Sequence, residues 1–221
     1  MKRLITTLIA LAILVPAAFA QTPTTAVEYF NRGVDYYEKG DYDRAIADYT
    51  QAIKLDPNLK ETYNNRGLVY YKKGDYDKAI ADYTQAIKLD PNYASAYYNR
   101  GNAYNKRGNP YYDNGDYDNA IADYDKLIKI NPDNSYIYDS RSRAYERKGD
   151  FDHAILDLTK SIQLNPEPSQ YTYESRGLVY MKLKDYENAI KDFYESIRID
   201  PSEDNPTRFD LEQAIKANKG D

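Results

Sequence analysis

The 221-residue chain contains no cysteine, no tryptophan and a single histidine, His153. Without cysteine there can be no disulfide, no thiolate metal site and no cysteine nucleophile, and one imidazole is too few for a multi-histidine metal centre. Phenylalanine is scarce at 5 residues, and positive charge is not in excess: 30 Lys and Arg face 35 Asp and Glu, a formal charge of −5 with no block of like sign. That balance argues against a nucleic-acid backbone as partner, because such affinity comes from clustered Lys and Arg. No phosphate loop, catalytic triad or paired-carboxylate cleft is present either, so the sequence points to no enzyme, no cofactor and no metal. What is abundant is tyrosine, with 26 copies in a chain that is 42% hydrophobic. Tyrosine buries its ring while its hydroxyl stays wet or bonded, which suits thin layers near solvent better than a thick core.

The first twenty residues differ from the rest. Met1, Lys2 and Arg3 make a positive start, Leu4 to Val15 is apolar apart from Thr6 and Thr7, Pro16 interrupts, and Ala18-Phe19-Ala20 places small residues before Gln21. This is the three-part pattern of a secretory signal peptide over 1–20, with cleavage expected after Ala20 and a short linker at 21–25. An uncleaved membrane anchor is the alternative, although the stretch is short for a ~20-residue span. With no cysteine after the apolar run, a lipid anchor there is excluded.

Residues 39–58 read KGDYDRAIADYTQAIKLDPN and residues 73–92 read KGDYDKAIADYTQAIKLDPN, differing only at Arg44 and Lys78. The period is 34 residues, and five windows follow it: 26–59, 60–93, 94–134 with an insert at 109–115, 135–168, and 170–203. Each window predicts two helices. In the second, Tyr42, Ala45, Ile46, Tyr49, Ala52 and Ile53 recur by threes and fours on one face, and Tyr29, Gly33 and Tyr36 do so in the first. Gly40, Gly74, Gly115 and Gly149 are expected to end first helices, with Asp41, Asp75, Asp116 and Asp150 capping second ones. The fifth unit has Lys184 in place of that glycine. Pro57, Pro91, Pro132, Pro166 and Pro201 close the units. Gly33, Gly67, Gly101 and Gly177 are expected to face Ala45, Ala79, Ala120 and Ala189, with Ser142 opposite Ala154 in the fourth unit. An Arg-Asp pair also recurs in every window: Arg32 with Asp48, Arg66 with Asp82, Arg100 with Asp123, Arg141 with Asp157, and Arg176 with Asp192. An antiparallel hairpin would bring each pair level, predicting an ion pair in each unit.

The period and the order Tyr, Gly, Tyr, Ala, aromatic, Ala, Pro resemble the tetratricopeptide repeat (TPR) family over residues 26–203. The resemblance implies an all-α fold, a right-handed α-α superhelix of five helical hairpins. The physical reason is plain: one hairpin cannot cover its own apolar face, so copies stack and cover one another. Residues 206–218 are expected to form a C-terminal capping helix with Leu211, Ala214 and Ile215 on one side and Phe209 pointing away from them.

In this family the first helices line a concave groove that commonly holds a peptide. By that resemblance the groove positions are the second, fifth, ninth and twelfth of each window, and the expected binding residues are Phe30, Val34, Tyr37, Asn64, Leu68, Tyr71, Tyr98, Asn102, Asn105 and Arg143. The first two units offer an apolar surface, the third is rich in Asn, and the fourth carries both signs of charge at Asp139, Arg143 and Glu146. The carboxylate clamp of some relatives, built from Lys, Asn and Arg, is absent: its places hold Phe30, Val34, Asn65, Ser95 and Asn99. The insert repeats a first-helix end, and Tyr111 and Tyr112 are expected to project from it. A calcium reading of Asp113, Asp116 and Asp118 fails because the glycine and distal glutamate are misplaced. His153 should face solvent.

The sequence thus suggests an exported, non-catalytic adaptor, periplasmic or secreted, binding a protein or peptide segment in its groove, with no stable membrane insertion once the signal is cleaved. Asn205-Pro206-Thr207 is disqualified as a glycan acceptor by its proline, which favours a bacterial setting. Two alternatives stand: a structural protein forming a homodimer through its first repeat, where Val27, Phe30 and Val34 have no preceding unit to cover them, and an accessory subunit of envelope or glycan machinery.

Overall fold

The computed structural model describes residues 23–107, 115–165 and 167–220. The expected signal segment, Tyr111, Tyr112 and Pro166 lie outside these. Among the described residues there are eleven α-helices and no strand: α1 (Ala26–Glu38), α2 (Tyr42–Leu55), α3 (Lys60–Lys72), α4 (Tyr76–Leu89), α5 (Ala94–Arg107), α6 (Gly115–Ile130), α7 (Ser135–Lys148), α8 (Phe151–Leu164), α9 (Gln170–Lys182), α10 (Tyr186–Ile199) and α11 (Thr207–Lys219). They pack as hairpins α1/α2 through α9/α10, and each hairpin's second helix meets the first helix of the next. Contact stays between neighbours in the row, which makes the molecule a solenoid.

The helix boundaries have local causes. Thr25 and Glu28 form a capping box at the start of α1. Asp41, Asp75, Asp150 and Asp185 each accept a backbone N–H from the residue three further on, which caps α2, α4, α8 and α10. Gly40, Gly74 and Gly149 take left-handed φ values of 76°, 81° and 84° at first-helix ends. Lys184 adopts the same turn with φ 61° despite its side chain, a conformation that costs a non-glycine residue about 1 kcal/mol. The third unit departs from expectation. Here α6 begins at Gly115, so Asp116 lies inside the helix rather than ahead of it. Its carboxylate is buried and takes two bonds from Arg107, Nε to Oδ2 at 2.7 Å and Nη2 to Oδ1 at 2.6 Å. A guanidinium fork outcompetes the cap for that side chain.

The core is a row of thin layers. Ala45, Tyr49, Ala52 and Val69 are sealed between the first two units, and Ala79, Tyr83, Ala103 and Ala120, Tyr124, Ala144 repeat the arrangement. Burying one such ring contributes about 2 kcal/mol. The small residues of the first helices have these rings as their nearest neighbours across the hairpin. A Cβ at Gly33 would come within 2.7 Å of Tyr49, at Gly67 within 2.8 Å of Tyr83, at Gly101 within 3.0 Å of Tyr124 and at Gly177 within 2.5 Å of Phe193. In the fourth unit, where Ser142 replaces glycine, the residue at the ring's position is Leu158. Helix separation is therefore set by a ring lying on bare backbone, and a smaller partner stands where the backbone carries a side chain.

Arg-Asp pairs tie every hairpin. Arg32 reaches Asp48 at 2.6 and 2.7 Å, Arg66 reaches Asp82 at 2.8 Å twice, and Arg100 reaches Asp123 at 2.9 and 2.8 Å. Arg141 reaches Asp157 at 2.8 and 2.6 Å, and Arg176 reaches Asp192 at 2.8 and 2.7 Å. Burial pushes the Asp82, Asp123 and Asp157 carboxyls upward against the pull of their arginines. Four of these arginines also reach back to the preceding unit: Arg66 to Thr50, Arg100 to Thr84, Arg176 to Thr159, and Arg141 to Asp125. The row of guanidiniums thus fixes register both within and between units.

The last helix ends the row. Ala214 is buried and Leu211 packs with Phe193, while Asn205 accepts the Thr207 backbone N–H at 3.0 Å. α11 sits against α10 and α9 as α5 sits against α4 and α3. It holds the place of a sixth first helix. Glu212 stands five residues beyond the buried Thr207, where Gly67 stands five beyond Thr62. That side chain leaves no bare backbone for another ring.

Candidate functional site

α1, α3, α5 and α7 touch one another in turn along one side of the row, as do α9 and α11. After α1, whose third window position Glu28 is exposed, each turns that position inward: Thr62, Ala96, Ile137, Thr172 and, in α11, Thr207 are all buried. The residue two further on then points along the groove, and this register gives Asn64, Tyr98, Asp139, Glu174 and Phe209 in chain order.

The amino-terminal part of the groove is half committed to packing. Phe30 lies 5.9 Å from Tyr49 between ring centres, Tyr37 lies 5.9 Å from Tyr42, and Tyr71 meets Tyr76 edge-on at 5.5 Å. Val34 joins the first cluster, and Leu68 is half-buried. Asn64 and Asn105 differ from the expectation of open groove residues, since both are buried. Asn64 accepts from Asn99 Nδ2 at 3.0 Å. Asn105 lies under Arg147, which donates to its backbone carbonyl at 2.6 Å, and its Oδ1 has no partner among the described residues. Asn102 accepts from the Tyr124 hydroxyl at 2.7 Å. Asn64 and Asn105 are met by residues of the next unit, Asn99 and Arg147, and one-unit spacing arguments do not show such coverage.

Two openings lie side by side where α5, α7 and α9 begin. The larger, about 590 Å³, is bordered by Asn64, Ser95, Tyr98, Asn99, Asn131, Asn134 and Tyr136, with Leu127, Ile130 and Ile137 as its apolar floor. The smaller, about 240 Å³, shares Tyr98 and Tyr136 and continues to Asp139, Arg143 and Tyr171. Tyr136 and Tyr171 are 72% and 64% exposed, Tyr136 at the rim of both openings and Tyr171 at that of the smaller one. Arg143 is exposed and forms no ion pair among the described residues, whereas Glu146 is held by Lys182 at 2.7 Å. Burial raises the Glu174 carboxyl, with the nearby Asp210 charge adding to it.

Family models match most of the chain: one described as a TPR repeat at residues 33–74, 67–108 and 108–149, and two described as tetratricopeptide repeats at 135–168 and 171–203. The chain belongs to the tetratricopeptide repeat family. Solved TPR structures superpose on it over most of its length. MamA from residue 41 onward of Desulfovibrio magneticus RS-1 gives a TM-score of 0.73 at 20% identity, covering 81% of this chain and 97% of that one. A second MamA crystal structure gives 0.71 at 28% identity over 80% and 92%. YrrB, described as a TPR protein with an unusual peptide-binding site, gives 0.69 at 20% identity over 88% and 92%. No curated protein matches significantly.

Some features of this TPR groove escaped the sequence reading. Phe209 had been expected only to point away from the packed stripe of α11, yet it occupies a groove register and is 66% exposed. The matching steps Thr172 to Glu174 and Thr207 to Phe209 carry that signal. Asn131 and Asn134 line the larger opening from the loop before α7, a place no first-helix rule covers. His153 is exposed, stacks on Tyr145 at 5.0 Å and pairs with Asp150.

Proposed function

We propose that this TPR protein is an exported, non-catalytic adaptor, periplasmic or secreted, that holds an extended segment of a protein partner across α5 and α7. The observation carrying this reading is the larger opening, where four asparagine amides border an apolar floor. Asn64 and Asn99 bond each other and Asn134 Oδ1 caps α7. The Asn131 amide, the Asn99 Oδ1 and the Asn134 Nδ2 still supply acceptors and donors that match the N–H and C=O of an extended backbone, while Tyr98 and Tyr136 supply ring surface for side chains. The peptide-binding site named for YrrB adds support by analogy of fold. Export rests on the pattern at residues 1–20, and no described helix is long and apolar enough to cross a membrane.

A panel of immobilised peptides, screened with the chain produced from residue 21, tests the binding reading. Bound peptides should lose most of their signal with Asn99→Ala and Tyr98→Ala together, and retention of the full signal overturns it. Mass spectrometry of the protein from a cell-envelope fraction tests export: a first residue of Gln21 is expected, and an intact Met1 in the cytosol overturns it.

Self-association remains a second reading on one observation. Val27 is 60% exposed, and with Phe30 and Leu59 it borders an apolar opening of about 160 Å³ at the α1 end of the described residues. Light scattering that shows a concentration-dependent dimer, lost in Phe30→Glu, supports this reading, whereas a monomer at all concentrations removes it.

A further inference from the structure

The smaller opening contains a carboxylate that the fold leaves incompletely satisfied. Asp139 Oδ1 is shielded from solvent and has no hydrogen-bond partner among the described residues. Its Oδ2 has Thr172 Oγ1 at 3.4 Å, too long for a strong O–H···O bond. No Lys or Arg among the described residues comes within ion-pair distance. Arg143, one turn further along α7, is exposed and stays out of contact. Burial pushes the Asp139 carboxyl up, while Ser161, Arg143 and Thr172 pull it the other way. A shielded carboxylate normally acquires a cation or a full set of donors, because leaving it short is costly, and among the described residues Asp139 has only the Ser161 and Thr172 hydroxyls beside it. The five structural aspartates follow that rule, each gripped by a guanidinium fork, so the exception lies at the groove.

The surroundings indicate the missing group. Tyr98, Tyr136 and Tyr171 line the same opening, and aromatic faces attract cations as strongly as they tolerate apolar chain. Glu174 and Asp210 lie at the next groove step with raised carboxyls and no ion pair among the described residues. Arg143 is the sole positive group facing them from α7. We propose that this opening is a specificity pocket for a cationic side chain, lysine or arginine, of the segment held in the groove. The inference rests on the groove reading above and deepens it: the amides grip backbone, and the adjoining pocket, reached past the shared Tyr98 and Tyr136, selects a basic residue. The chain's acidic balance of 35 to 30 favours the encounter.

Nuclear magnetic resonance titration of the labelled chain from residue 21 provides the test. The probes are acetyl-Ser-Ala-Ser-Ala-X-Ala-Ser-Ala-Ser-amide peptides with X lysine, norleucine or glutamate. The lysine peptide should shift the amides of Asp139, Tyr171 and Thr172 and bind about tenfold more tightly than the norleucine peptide. Asp139→Asn should reduce it to the norleucine level while leaving the norleucine peptide unchanged. Arg143→Gln, a substitution at an exposed site, should tighten lysine binding about threefold by removing a like charge. It keeps the proposal testable should Asp139→Asn fold poorly. Equal binding of lysine and norleucine peptides, with shifts confined to Asn64, Asn99 and Asn134, overturns the cation pocket and spares the groove reading. Lysine affinity unaffected by Asp139→Asn, or weakened by Arg143→Gln, also overturns it. No binding by any probe overturns both readings.

Discussion

Within each hairpin the same contacts recur: a guanidinium fork on an aspartate 2.6–2.9 Å away, and a ring or its smaller substitute against the small residue of the first helix. Along the groove the fifth position is Phe30, Asn64, Tyr98, Asp139, Glu174 and Phe209 in turn, and no two consecutive positions agree. The interfaces solve one packing problem repeatedly, so one solution repeats. The groove is free of that demand, and its chemistry changes from aromatic to amide to acid along the row. Identity between copies therefore marks what holds the solenoid together, and difference marks where a partner would be read.

Substitutions can break this contrast. The largest effect is expected at the tightest repeated contact. Gly177→Val places a branched side chain where even a Cβ would stand 2.5 Å from Phe193, and should cost about 3 kcal/mol in urea denaturation. The fourth unit sharpens the point: Leu158→Phe alone should destabilise, and adding Ser142→Gly should recover about 1–2 kcal/mol of that loss. Next, Arg100→Met leaves Asp123 buried without its fork. A cost of about 2 kcal/mol is expected, below that of a fully sealed pair because Arg100 keeps 17% of its side chain exposed.

A smaller effect separates two otherwise equivalent rings. The Tyr124 hydroxyl bonds Asn102 at 2.7 Å, whereas the buried Tyr83 hydroxyl has no partner among the described residues. Tyr124→Phe should cost about 1 kcal/mol and Tyr83→Phe close to none, because the second removes only an unsatisfied group. Equal losses would show that the two hydroxyls are satisfied alike. Smallest of all in stability is Tyr136→Ser in the groove, expected within about 0.5 kcal/mol because the ring is 72% exposed. A loss comparable to that of Arg100→Met would place Tyr136 among the packing residues and dissolve the contrast.

Much of the fold was legible in the letters because its causes are local. Helix faces follow from spacings of three and four, turns from Gly-Asp pairs, and stacking from a period of 34. The Arg-Asp pairs were legible because their separation is fixed by the hairpin itself. The groove was less so. Asn105 reads as an open polar residue until Arg147 from the next unit covers it, 42 positions away. Phe209 reads as a stray aromatic until α11 is seen in the place of a first helix.

The sequence by itself determined that identical hairpins would form and stack, since a lone hairpin cannot bury its apolar face and every copy carries the same complementary surface. Only the tertiary structure decided that a ring lies nearest each first-helix glycine, that Asp116 serves an arginine rather than a helix end, and that Asp139 has no cation beside it among the described residues. Those outcomes depend on which atoms from other helices arrive within about 3 Å, a distance that spacing along the chain does not fix.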